Sequence, residues 1–189
     1  MDQSAVLSLF RQSGALLEGH FKLSSGLHST GYLQSALVLQ HPEHAQALGR
    51  ALGERLRDSK PTVVLSPALG GLIIGHEVAR ALGVRAIFAE RVEGKLHLRR
   101  GFSLSADDRV VVIEDVVTTG LSTRETMDVA RAAGATVASA GAIVDRSGGA
   151  ADLGVTFAAL VQLALPTYEA SACPLCAAGQ AVTKPGSRT

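Results

Sequence analysis

The run Val110-Val111-Val112-Ile113 limits most strongly what this chain can fold into. Four consecutive β-branched apolar residues lack the in–out alternation of a strand with one wet face, so the strand they form must be covered on both sides. A shorter run of the same kind occurs at Val63-Val64-Leu65, and further strands are expected at Arg85 to Ala89, Thr136 to Val144 and Val155 to Leu163. Between them the apolar period becomes helical. Ala45, Leu48, Leu52 and Leu56 follow Pro42, a residue suited to a first helical turn. A second helical segment runs to Leu82 and stops at Gly83, and a third spans about Ser122 to Ala133. Strands alternating with helices predict an α/β fold with a mostly parallel central sheet flanked by helices. In such sheets ligands bind outside the carboxyl ends of the strands, so the strand-to-loop junctions are the places to search.

The N-terminal part reads differently. Gln3 to Leu17 is a short amphipathic helix, and Phe21 to Leu39 reads as short strands broken at Ser24-Ser25-Gly26 and Ser29-Thr30-Gly31. At 189 residues the chain is expected to be a single domain, 1–189, with a small hood formed mainly by residues 1–40 and a C-terminal contribution. The net charge of +1 carries no basic excess of the kind that marks nucleic-acid binding, so anionic ligands must be held by local devices. No apolar stretch approaches the roughly 18 residues of a membrane span. Met1-Asp2-Gln3-Ser4 lacks the basic start of a secretion signal, and a cytoplasmic protein without membrane or nucleic-acid partners is expected.

The strongest local signal follows the same apolar strand: Glu114-Asp115-Val116-Val117-Thr118-Thr119-Gly120-Leu121-Ser122-Thr123. Two adjacent carboxylates at the end of a buried strand repel one another, and burying either is costly without a donor or cation partner. Beyond them a glycine turn opens a helix, whose free N–H groups suit a phosphate. Thr118, Thr119 and Ser122 can add hydroxyls. Ser122-Thr123-Arg124-Glu125 also has the form of a capping box, which needs no ligand but leaves the acidic pair unexplained.

This segment closely resembles the phosphoribosyl-pyrophosphate motif of type I phosphoribosyltransferases. The resemblance implies that Glu114 and Asp115 hold ribose hydroxyls and that Thr118 to Thr123 cradle the 5′-phosphate, with Val116 and Val117 in the same motif. Four further segments resemble orotate phosphoribosyltransferases. Phe21-Lys22-Leu23-Ser24-Ser25-Gly26-Leu27-His28-Ser29 is similar to their base-covering hood, which assigns Ser25 and Gly26, with Thr118, to the orotate ring. Asp145-Arg146 matches the arginine that meets the base, and a guanidinium suits a carboxylate-bearing ligand. Pro67-Ala68-Leu69-Gly70-Gly71 looks like the pyrophosphate loop, with Ala68, Leu69 and Gly70 as contacts. Arg91-Val92-Glu93-Gly94-Lys95-Leu96-His97 resembles the mobile catalytic loop.

The implied activity is transfer of phosphoribosyl from phosphoribosyl pyrophosphate to orotate, giving orotidine 5′-monophosphate and pyrophosphate in pyrimidine biosynthesis. Lys95, His97 and Asp115 are its implied catalytic residues, and Arg91, Lys95 and His97 contact the diphosphate. Mg²⁺ is the implied cofactor, held mainly through diphosphate and ribose rather than by a protein cage. A homodimer is implied in which loop 91–101 reaches the neighbouring site. The chain departs from many of these enzymes at Ser24, Gly70 and Val92, where lysines are common, and at Leu96, where an acid is common; Arg99 or Arg100 is the candidate compensation. Two rival readings are a phosphoribosyltransferase for another base and a non-catalytic sensor of phosphoribosyl pyrophosphate.

Cys173-Pro174-Leu175-Cys176 also occurs in some short orotate enzymes. It supplies two thiolates, whereas structural zinc takes four ligands, and no second CxxC or neighbouring histidine pair accompanies it in sequence. His20, His28, His41, His44 and His76 are scattered and read as surface or satisfied core histidines, His28 being the one inside the hood segment.

Overall fold

A computed structural model describes residues 1–23 and 26–184. The elements are α1 (Gln3–Gln12), β1 (Leu16–Lys22), β2 (His28–Leu33), α2 (Ser35–Leu39), α3 (Pro42–Leu56), β3 (Val63–Pro67), α4 (Gly71–Leu82), β4 (Arg85–Val92), β5 (Lys95–Leu98), β6 (Arg109–Val117), α5 (Leu121–Ala132), β7 (Thr136–Asp145), β8 (Phe157–Gln162), β9 (Thr167–Tyr168) and α6 (Pro174–Ala177). Six strands form one sheet in the order β5-β4-β3-β6-β7-β8. Every neighbouring pair from β4 to β8 is parallel, and β5 alone runs antiparallel, against β4.

The central strands are buried on both faces, as their unbroken apolar runs require. Alternate residues feed two cores. Val64, Val111, Ile113 and Ile143 pack with α1, α2, α3 and α4, while Val63, Leu65, Val110 and Val112 pack with Met127 and Ala130 of α5. Helices α3 and α4 meet closely at Gly49, where a Cβ would fall 2.4 Å from that of Glu77.

A second sheet, β1-β2-β9, is antiparallel and stands apart from the first in its pairing. The C-terminal segment clasps it. Lys22 N–H donates to the Thr183 carbonyl, and Thr183 N–H donates to that of His20.

Two local expectations differ from what is observed. Ser35 to Leu39 is the helix α2 rather than strand, because Val38 and Leu39 turn together into the core of α1 and α3. α1 ends at Gln12, and Ala15 is buried ahead of β1; Leu16 and Leu17 belong to the hood strand rather than to the helix. A larger correction concerns the CxxC. The hairpin β1–β2 places His20 beside His28, and the tail brings Cys173 and Cys176 to both of them. The histidine pair that is missing nearby in sequence is supplied across 153 residues of chain by the pairing of the hood with the tail. Among the described residues no helix is long and apolar enough to cross a membrane.

Candidate active site

Because β4, β3, β6 and β7 are parallel neighbours, their carboxyl ends lie along one edge of the sheet. That edge collects the loop after Pro67, the acidic pair of β6, the turn into α5 and Arg146 after β7.

Strand β6 continues past Ile113, because its pairing with β7 persists to Val117 opposite Asp145. The acidic pair therefore sits inside the last turn of a strand. Glu114 is 7% exposed, and burial together with the neighbouring Asp115 charge pushes its carboxyl up to about 8. Its one side-chain donor among the described residues is Ser122 Oγ, at 2.9 Å from Oε1. Asp115 is also raised by burial, offset in part by the Val116 N–H and the nearby Ser35 hydroxyl. Neither acid forms an ion pair among the described residues. Val117 is buried and Val116 packs against the core, so these two residues offer a ligand their backbone only.

The turn is built for close approach. Gly120 has φ +75°, and a Cβ there would lie 2.7 Å from Leu153. Thr118 and Thr119 are exposed ahead of the α5 N-terminus, whose first N–H groups lack intrahelical acceptors. Leu121 is exposed, while the Thr123 side chain is buried, which leaves its N–H as the group available to an anion. The expected capping box does not form. Gly120 is the N-cap, the Ser122 hydroxyl is drawn to Glu114, and Glu125 pairs with Arg91. Arg124 braces the turn by donating to the carbonyls of Thr119 and Asp152, a role that the capping-box pattern does not assign to it.

The loop Ala68-Leu69-Gly70 leads from β3 into α4, with Ala68 N–H bonded to the Ala89 carbonyl. The Ala68–Leu69 peptide is cis. A Cβ on Gly70 would lie 2.7 Å from Asp115 Oδ1, so this loop and the acidic pair adjoin.

Arg146 N–H donates to the Val117 carbonyl at 2.7 Å, which places the arginine next to Thr118. Its guanidinium is largely withdrawn from water; burial lowers its affinity for the proton, and Tyr32 of β2 is the group that partly offsets this. Its Nε is buried and has no hydrogen-bond partner among the described residues. Such a cation is costly unless an anion joins it. Gly26 bends at φ +90° and donates its N–H to Leu23 O, closing the tip between β1 and β2; Ser24 and Ser25 lie outside the described residues.

The segment that resembles the mobile catalytic loop is a hairpin. Arg91 and Val92 end β4, Glu93-Gly94 turns, and Lys95 and His97 lie in β5, with Glu90 opposite His97 and Val92 opposite Lys95. It is held because Leu96 turns inward, with Leu98 packing behind it. Lys95 and His97 are exposed and line a cleft of about 600 Å³ beside Glu125, Asp128 and Val129 of α5. Among the described residues no ion pair joins them to the acidic pair. Arg100 is engaged by Glu90 through two bonds of 2.8 Å.

The phosphoribosyl transferase domain profile matches residues 35–156, and the chain belongs to that family. Over its whole length it is 50% identical to the orotate phosphoribosyltransferase of Pelotomaculum thermopropionicum, covering 99% of that protein. It is 53% identical to the orotate phosphoribosyltransferase of Carboxydothermus hydrogenoformans, with 97% of each chain covered. Among solved structures, orotate phosphoribosyltransferase from Aeropyrum pernix superposes with a TM-score of 0.67 at 28% identity, covering 84% of this chain and 93% of that one.

Proposed function

We propose that this chain transfers phosphoribosyl from phosphoribosyl pyrophosphate to orotate, forming orotidine 5′-monophosphate and releasing pyrophosphate. The observation that carries the reading is the pairing, on one sheet edge, of buried Glu114 and half-buried Asp115, which have no cation among the described residues, with half-buried Arg146, whose buried Nε has no partner among them. A substrate with ribose hydroxyls and diphosphate at one end, meeting a base that carries a carboxylate, satisfies both. The full-length relatives named above supply the base.

Glu114 and Asp115 accept bonds from the ribose hydroxyls. The N–H groups from Thr118 to Thr123, with the Thr118 and Thr119 hydroxyls, receive the 5′-phosphate. Ala68, Leu69 and Gly70 meet the diphosphate through the backbone. Arg146 holds the orotate carboxylate, with Gly26, Ser25 and Thr118 around the ring. Mg²⁺ fits this edge because buried carboxylates without a basic partner are hard oxygen ligands; when bound, through diphosphate and ribose with Asp115 at hand, it supplies positive charge to the leaving oxygens. Lys95 and His97, with Arg91, stabilise the departing pyrophosphate. On the resemblance to orotate phosphoribosyltransferases, they act on the site of a partner subunit in a homodimer, through segment 91–101. The chain works as one domain, with the β1-β2-β9 sheet as its hood, in the cytoplasm.

The test is the loss of orotate absorbance when purified protein meets phosphoribosyl pyrophosphate and Mg²⁺, with hypoxanthine, adenine and uracil run in parallel. Turnover of orotate alone is expected. Turnover of another base in its place would overturn the assignment of Arg146.

A further inference from the structure

The side chains of His20, His28, Cys173 and Cys176 converge at the back of the hood, with one ligand-type atom from each lying within 4.8 Å of all the others. The contacts are His20 Nε2 to Cys173 Sγ at 3.5 Å, His20 Nε2 to Cys176 Sγ at 3.8 Å, His28 Nδ1 to Cys176 Sγ at 3.3 Å, and His20 Nε2 to His28 Nδ1 at 2.8 Å. Around a tetrahedral zinc with bonds of about 2.0–2.1 Å to nitrogen and about 2.3 Å to sulfur, nitrogen–sulfur edges come to about 3.5 Å and the nitrogen–nitrogen edge to about 3.3 Å. Of the six edges, the three nitrogen–sulfur distances above lie within about 0.3 Å of these values, the nitrogen–nitrogen edge is about half an ångström short, and the other two are no longer than 4.8 Å.

The second layer agrees. His20 Nδ1 lies 2.9 Å from the Gln180 carbonyl, which can only accept, so Nδ1 carries the proton and Nε2 presents its lone pair to the cluster. Both cysteines are free thiols. His20, His28 and Cys173 are each no more than 5% exposed, while Cys176 closes the cluster from an exposed position. Two thiolates would cancel the charge of a divalent ion, so no net charge would be buried.

We propose that this chain holds a structural Zn²⁺ in a tetrahedral site made by His20 Nε2, His28 Nδ1, Cys173 Sγ and Cys176 Sγ. Two histidines and two thiolates in this geometry select zinc over hard cations. None of its four ligands belongs to the sheet edge where the reaction is placed. Its effect is architectural. His20 and His28 flank the tip between β1 and β2, and Cys173–Cys176 carries α6, so the ion fastens both strands to the tail beside the two backbone bonds between β1 and Thr183.

The full chain, purified with reductant and without chelators, is to be assayed for metal by mass spectrometry and for free thiols. About one zinc per chain is expected. Replacement by Co²⁺ should give the visible absorption of a tetrahedral thiolate complex, and chelation should lower the melting temperature. Cys176→Ser, at an exposed position, should cut bound zinc below about a tenth of an equivalent, with folding checked by circular dichroism. Four results would overturn the proposal: less than about a tenth of an equivalent in the wild type after incubation with zinc and dialysis; a Cys173–Cys176 disulfide in the reduced preparation; zinc that survives Cys173→Ser/Cys176→Ser; or Co²⁺ spectra without thiolate bands. Metal content is read independently of turnover, so an enzyme acting on another base could still hold the ion, and an orotate enzyme could lack it.

Discussion

The edge after β6 and the hood over it are built in opposite ways. From Glu114 to Thr123 a single continuous stretch supplies acids, turn, hydroxyls and helix N-terminus. The hood draws on β1, β2, β9 and the tail, with His20 and Cys173 lying 153 residues apart. A continuous segment can be recognised from its residues because the chain itself enforces their proximity. An assembly of distant segments has no such signature, and its partners appear only once the sheet has formed. The edge itself carries opposite charges: the acids of β6, and Arg146 after β7, bonded to Val117 and near Tyr32 of β2.

If that division holds, substitutions on the continuous segment should strike the phosphoribosyl substrate hardest. Asp115→Ala is expected to lower kcat/KM by about 10³-fold, the range seen for groups that stabilise charge at a reacting centre. A fall below tenfold in steady-state kinetics would mean that the pair is structural. The hairpin should behave as a third, separable part. Lys95→Ala is expected to lower kcat by about 10²-fold, and His41→Ala, at the α3 N-cap, to change it less than about twofold. Equal kinetics in the two variants would remove segment 91–101 from the reaction.

A smaller perturbation sharpens the boundary between loop and acid. Gly70→Ala places a Cβ where Asp115 Oδ1 now lies, 2.7 Å away. Displacing that carboxylate should raise the KM for phosphoribosyl pyrophosphate about tenfold, or roughly 1.4 kcal/mol, while orotate KM stays nearly level. An unchanged KM would show that Asp115 can swing aside without loss.

The subtlest effect is a proton. The carboxyl of Glu114, ordinarily at 4.5, sits near 8 in the free fold. A raised value means that the fold favours the protonated acid: its contribution to stability is full below 4.5 and is lost as pH rises through 8. A ligand that needs the carboxylate reverses the preference, so affinity for phosphoribosyl pyrophosphate should climb with pH toward about 8 and then level off. Calorimetry near pH 7 in buffers of different ionisation heat should detect release of about one proton more for the wild type than for Glu114→Gln. Equal release in both would place the titration elsewhere.

Most of the larger sheet was legible in the sequence. Val110 to Ile113, Val63 to Leu65 and Gly83 mark strands and a helix end through local chemistry alone. What escaped depends on distance. Ser122 looked like a helix cap because Glu114, eight residues earlier, competes for its hydroxyl only after β6 and α5 have folded back together. Ser35 to Leu39 looked like strand because a short apolar run carries no period that separates the two states. Strand β5, which carries Lys95 and His97, has no apolar run to mark it, and only the burial of Leu96 reveals it. Tyr32 and Arg124 carry no local mark at all.

The division between ribose end and base end is tested most directly by Arg146→Gln, with phosphoribosyl pyrophosphate affinity measured by calorimetry and orotate kcat/KM measured by absorbance on the same preparation. The account predicts phosphoribosyl pyrophosphate binding within about twofold of wild type and a loss of about 10²-fold in orotate kcat/KM, the scale of losing one buried charge pair. A parallel fall in both, or no change in orotate turnover, would contradict it.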